Sequence, residues 1–210
     1  MGITSRKRRP LERRELQNRD DSIFVVVSED RYAVDQYFAG LRFSRLKVVV
    51  LPTTDSRSAP RHLVERLHQA RQKYDWQEGD QLWLVLDTDH WVKPSHLGNL
   101  TDALRAATRI GAMFALSNPC FETWLLLHHA EDLSVLQDRS SAREVHRFMK
   151  SMVPGGYRKD NLDPDCFTRE QAEAATDRAE RCDPNPGEWW PRSPGTHMHR
   201  LMRSIFACER

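Results

Sequence analysis

From residue 23 onward, short unbroken apolar runs alternate with longer stretches in which apolar residues recur every three or four positions. The runs Ile23–Val27, Leu46–Leu51, Leu82–Leu86 and Ala112–Leu116 have the length and continuity of strands buried on both faces of a parallel sheet. Between them, the helical spacing of Tyr37, Phe38 and Leu41, of Leu63, Leu67 and Ala70, and of Leu97, Leu100, Leu104 and Ala107 predicts three helices. Their expected spans are Tyr32–Leu41, Ser58–Tyr74 and Ser95–Arg109, the last stopped by Gly111. Repeated strand–helix–strand units of this length imply parallel crossovers and an α/β fold: a mostly parallel four-stranded sheet flanked by helices.

After Leu116 the pattern changes. Asn118-Pro119 reads as a helix opening, with Asn as the cap and Pro at the first helical position. The segment Phe121–His129 is apolar nearly all round and is therefore expected to be a buried helix. Further helices are expected over Ser141–Met152, Thr168–Arg181 and His197–Phe206, separated by a Pro-Gly-Gly turn and a loop from Asp183 to Pro194. The expected organisation is a basic, disordered arm over residues 1–20, an α/β core over 21–130, and a helical C-terminal extension over 131–210 that caps the sheet.

Of the 210 residues, 39% are apolar, enough for a core, and the formal charge of +2 argues neither for nor against a polyanionic partner. Its distribution says more. Arg6, Lys7, Arg8, Arg9, Arg13 and Arg14 crowd the arm, so Arg8 and Arg9 are candidate phosphate contacts, with a solvated tail as the alternative. No apolar stretch is long enough to cross a bilayer, no signal peptide opens the chain, and the cysteines at 120, 166, 182 and 208 lack a CxxC spacing. A reduced, cytoplasmic protein with no membrane partner is expected, and a homo-oligomer is compatible with the pattern.

The candidate chemistry sits where strands end. The first strand leads through Ser28 into Glu29, and the third into Asp87-Thr88-Asp89, where alternation points Asp87 and Asp89 the same way. Ligands of parallel sheets bind at the carboxyl ends of strands. If these strands are neighbours, three carboxylates converge and call for a proton or a hard cation. The expected cation is Mg2+, or Mn2+, on Glu29, Asp87 and Asp89, with Glu29 completing its shell or acting as general base. The structural alternative for Asp87-Thr88-Asp89 is a turn with a helix cap.

Three stretches together resemble the RloB family of bacterial proteins. They are Val27-Ser28-Glu29 with Tyr37-Phe38 downstream, Leu86-Asp87-Thr88-Asp89, and the segment from Ser117 to His128 that reads SNPCFETWLLLH. Gly156-Tyr157-Arg158-Lys159 and Ser193–Met202 add weaker support. The resemblance implies a TOPRIM-like domain, with Glu29, Asp87 and Asp89 in the places of its acidic residues. It also implies a setting in phage defence, often beside an ATPase partner of the AAA or ABC type. The chain departs from the family pattern at Asp30, Ala33 and Val34, where a glycine and then a Thr-Glu pair are usual.

Other residues carry competing readings. Glu122 is either held by amides at a helix start or faces the metal crevice together with Asn118. Lys159, after a flexible Gly-Gly, either meets developing phosphate charge or is one lysine on a solvated loop. His128 and Tyr37 read as core residues, and Trp189 and Trp190 as a pair that docks a partner, with base stacking as the alternative. The expected function is a metal-dependent nuclease acting on RNA or DNA in anti-phage defence. The alternative is a non-catalytic sensor or adaptor that binds nucleic acid, a nucleotide or a partner protein.

Overall fold

The computed structural model describes residues 21–53, 59–89, 91–137 and 141–209. The basic arm with Arg8 and Arg9 lies outside the described residues. Four parallel strands, β1 (Ser22–Ser28), β2 (Leu46–Leu51), β3 (Gln81–Asp87) and β4 (Ala112–Asn118), alternate with the helices α1 (Ala33–Gly40), α2 (Pro60–Lys73) and α3 (Pro94–Arg109). The C-terminal part adds α4 (Glu122–Leu126), α5 (Ala142–Met152), α6 (Arg169–Arg181), β5 (Gly195–Thr196) and α7 (Met198–Cys208). The sheet order is β2-β1-β3-β4-β5. The fifth strand, which the expected four-stranded sheet lacked, is antiparallel to β4 and pairs only Ser117 with Thr196 and Asn118 with Gly195.

Strand alternation divides the core between the two faces of the sheet. Val25, Val27, Leu82, Leu84, Leu86 and Leu116 face α2 and α3, while Phe24, Val26, Trp83, Val85 and Ala115 pack with α1 and α4 to α7. The C-terminal extension therefore shares one apolar cluster with the sheet. Ser141 and Thr168 cap α5 and α6, each paired reciprocally with the glutamate or glutamine three residues on, which sets where these helices begin.

The expected helix over Phe121–His129 is cut short. Regular α-helix covers only Glu122–Leu126, Phe121 is its N-cap, and no side chain caps it. Asn118 stays in β4, follows the sheet register to its end, and spends its Nδ2 donor on the Pro191 carbonyl at 2.9 Å, while the Asn118–Pro119 bond is cis. The pair Trp189 and Trp190 also differs from the docking expectation, since Trp190 is buried and Trp189 partly buried against the α2/α3 side of the core. No helix among the described residues is long and apolar enough to cross a membrane, and all four cysteines are unpaired.

Candidate active site

Adjacent parallel strands bring two of the three strand-end acids together. β1 and β3 pair with Ser28 opposite Val85, and the Glu29 amide continues the ladder by donating to the Val85 carbonyl at 3.1 Å. Glu29 and Asp87 leave the carboxyl edge one step out of register, Glu29 reaching Trp91 and Asp87 the Phe121 amide, close enough for the Glu29 charge to act on Asp87. Asp87 Oδ1 accepts from the Phe121 amide at 2.8 Å, which ties β3 to the segment leading into α4. Glu29 Oε1 accepts from the Trp91 indole at 3.3 Å, the Asp87 amide also favours the Glu29 carboxylate, and Glu29 Oε2 is buried without an aligned hydrogen bond, as is the Thr88 hydroxyl elsewhere on the rim. Asp89 is exposed, and its backbone amide donates to the Pro119 carbonyl at 3.0 Å.

Burial and mutual repulsion act on these acids. Burial, with the Asp89 charge adding to it and the Trp91 hydrogen bond opposing it, pushes Glu29 up to about 7. Asp87 is driven well above the usual carboxylate range by burial first and then by Glu122 and Glu29. A carboxylate raised by its own kind is short of positive charge.

The positive charge present comes from Lys159. After α5 the chain turns through Gly155 and Gly156, both left-handed with φ of 76° and 88°, a pair of conformations that side-chain-bearing residues adopt at a cost. The turn returns Tyr157 and Lys159 to the rim. Lys159 Nζ lies 2.6 Å from Asp30 Oδ2 and 3.4 Å from Glu122 Oε1. Burial works against its charge, but Glu122, Asp87 and Asp30 together raise its proton affinity well above that of an ordinary lysine.

Glu122, 2% exposed, is held by side chains and not by helix-start amides. Tyr157 donates its hydroxyl to Oε1 at 2.9 Å, and His146 Nε2 from α5 stands 3.2 Å from the same oxygen, off hydrogen-bond alignment. Burial would raise Glu122, yet His146 and Lys159 outweigh it and hold the group far below the normal range. It is therefore a permanent anion at the base of the rim.

The structure thus gathers Glu29, Asp87, Glu122 and Lys159 into one cluster, leaves Asp89 at its exposed margin, and turns Asn118 toward the Pro191 loop. Sequence reasoning missed His146, Tyr157 and Trp91 as parts of the site and saw Asp30 only as a lost glycine. Asp30 anchors the turn into α1, its Oδ1 accepting from the amides of Tyr32 and Ala33, while Oδ2 holds Lys159. Only Tyr157 carried a signal, by standing beside Lys159 in a stretch already singled out. Tyr37 and His128 are core residues as expected. The Tyr37 hydroxyl meets His128 Nε2 at 3.2 Å, and burial pushes His128 down to about 3, so it stays neutral.

Among the described residues, no group of three or more His, Cys, Asp or Glu side chains is gathered closely enough to hold a metal ion. The donor set still suits one kind of cation. Magnesium is bound through one or two protein carboxylates, with water and phosphate oxygens filling the other positions. Glu29 with its orphaned buried oxygen and Asp87 with its raised proton affinity are two such carboxylates.

A family model described as RloB-like protein matches residues 24–205. No curated protein and no solved structure matches the chain.

Proposed function

Since the chain belongs to the RloB-like protein family, we propose that the acidic rim is the active site of a metal-dependent nuclease acting on phosphodiester bonds of RNA or DNA. The observation that carries the proposal is the pair of adjacent strand-end acids, Glu29 and Asp87, both raised by burial and like charge, with one buried oxygen left unpaired. Glu29 and Asp87 would hold the divalent ion, Mg2+ or Mn2+. Bound there, it would lower the pKa of a water and offset charge on the transferred phosphoryl group.

The protein's own groups have distinct parts. Where Asp87 holds the ion without it, Glu29, pushed up to about 7, is suited to take a proton from an attacking water. Lys159, held in reach by Asp30 and Glu122, presents a fixed positive charge toward the phosphate. Glu122 and Tyr157 are positioning residues that keep Lys159 and His146 in place. The setting in phage defence and control by an ATPase partner belong to the same proposal and rest on family membership.

One observation favours a second reading, a sensor or adaptor without catalysis. Lys159 already offsets part of the cluster's charge from within, and its salt bridge at 2.6 Å uses Asp30, where the family pattern has glycine. The two readings separate in one assay. With Mg2+ or Mn2+, the wild-type chain should cleave labelled RNA or DNA, and Glu29→Gln or Asp87→Asn should reduce the rate by about a thousandfold, the scale of losing a charged catalytic group. The ions should also raise the melting temperature of the wild type and not of the variants. Nucleic-acid binding with neither cleavage nor an ion-dependent melting shift would establish the sensor reading and remove the nuclease.

A further inference from the structure

One helix beside the rim carries charges that no acid among the described residues pairs with. On α5, Arg143, Arg147 and Lys150 fall at helical spacing on one exposed side, with His146 between them reaching Glu122. Among the described residues, no acid pairs with any of the three. The C-terminal helices behave differently. Arg169 pairs with Glu173 and Glu209, Arg178 with Glu131, and Arg203 with Asp177 and Glu180. In a chain of net charge +2, three adjacent uncompensated cations at one edge of an acidic site are a positive stripe with a direction.

Where α5 meets the rim there is a cleft of about 400 Å3, lined by Tyr32, His146, Lys150, Tyr157, Arg158, Lys159 and Asp160. Tyr32 is one of two large hydrophobic side chains exposed among the described residues, at 41%, and the Arg31 guanidinium lies 5.1 Å from its ring centre. Nothing in the fold requires an aromatic ring to stand in solvent there. An exposed aromatic next to a line of basic groups is the arrangement that binds a single strand, the bases stacking on the ring and the backbone following the charges.

We infer that α5 and this cleft form the track for a single-stranded nucleic acid. Arg143, Arg147 and Lys150 contact successive phosphates, Tyr32 stacks a base, and the strand is led toward Lys159 and the acidic rim. Arg143 and Lys150 stand about 10 Å apart along the helix axis, a span that faces about two or three phosphates of one strand. The track rests on the nuclease reading for its purpose, but its binding is separable from cleavage. A duplex would set two charged backbones against a stripe one helix wide and would hide its bases from Tyr32. An acidic partner protein would use the charges and leave Tyr32 without a role.

The test is fluorescence anisotropy with the full chain and a labelled single strand of about a dozen nucleotides, titrated at several salt concentrations. The wild type should prefer this probe to the corresponding duplex. The triple variant R143A/R147A/K150A should weaken binding at least tenfold and flatten the salt slope by about 2, near 0.7 for each phosphate no longer neutralised. Tyr32→Ala should weaken it roughly tenfold with the slope unchanged, because stacking releases no counterions. Arg105→Ala, on the other side of the sheet, is the control and should bind as the wild type. All the substituted side chains are exposed, and a melting curve for each variant checks that it is folded. Unchanged affinity and slope in the triple variant, equal or tighter duplex binding, or indifference to Tyr32→Ala would overturn the track. If the expected binding pattern holds while no divalent ion supports cleavage, the nuclease reading fails and the track stands. If cleavage occurs but binding ignores these residues, the reverse is true.

Discussion

Two buried charge clusters in this protein share ingredients and differ in balance. At the rim, Glu29, Asp30, Asp87 and Glu122 meet one ammonium and one imidazole, so acids are in excess. Near β5, one carboxylate, Asp183, is approached by three groups able to carry positive charge: His197 Nε2 at 3.3 Å, His199 Nε2 at 3.8 Å and Arg200 Nη2 at 3.8 Å. Asp183 Oδ1 accepts from the Asn185 amide, and the His199 ring is oriented by the Thr196 carbonyl. The consequences run in opposite directions. Glu29 is pushed up to about 7 and Asp87 is raised, while burial and then the Arg200 charge push His197 down to about 4. Excess negative charge at an accessible strand edge leaves chemistry available. One buried anion stands within 3.3–3.8 Å of an arginine and two imidazoles, while its Oδ1 holds the Asn185 amide of the loop that precedes β5.

The largest effect expected from this contrast is on stability. Asp183→Ala leaves the Arg200 guanidinium without its anion and should cost about 3 kcal/mol, the scale of breaking a buried pair. Denaturant unfolding would measure it. Cleavage by the surviving folded fraction should be unchanged, since none of these groups reaches the rim. A loss below about 0.5 kcal/mol, within the range of ordinary surface substitutions, would dissolve the contrast.

The rim should show the opposite behaviour, visible in the pH dependence of the metal-free protein. Glu29 has a folded-state pKa raised from 4.5 to about 7, so the folded chain holds a proton that the unfolded chain has lost. This contribution to stability is fully present below 4.5 and disappears as the pH rises through 7. Glu29→Gln removes the loss. With a chelator present, the variant should therefore be more stable than the wild type at pH 8, by at most about 3 kcal/mol, and the advantage should shrink toward pH 4. A pH-independent difference would show that Glu29 is not held by burial and like charge.

A smaller effect tests the other cluster with the sign reversed. His197 has its pKa lowered from 6.5 to about 4, so its contribution is present above 6.5 and is lost as the pH falls from there toward 4. His197→Gln should flatten the acid side of the stability curve between those values, read by melting temperature against pH. Retention of the full wild-type slope would place that titration elsewhere.

Much of the scaffold was legible along the chain because strand and helix periods are local. Continuous apolar runs marked β1 to β4, and the spacing of leucines marked α2 and α3 to within a few residues. β5, with two residues, is too short to show any period, and α4 looked longer than it is because burial makes a segment apolar whether or not it is helical. Glu29 and Asp87 could be singled out because acids directly after buried strands are a local signal. Asn118 could not be placed correctly, because its partner, the Pro191 carbonyl, lies in a loop far along the chain.

By itself, then, the order of residues determined which segments are strands, which of their ends carry acids and which family pattern they follow, since each depends on neighbours within a few positions. The tertiary structure alone decided that Lys159, His146 and Tyr157 from the C-terminal part stand over acids of the N-terminal sheet, and that Asp183 is matched while the rim is not. Electrostatic balance depends on distances through space between groups far apart in the chain, and no local period encodes those distances.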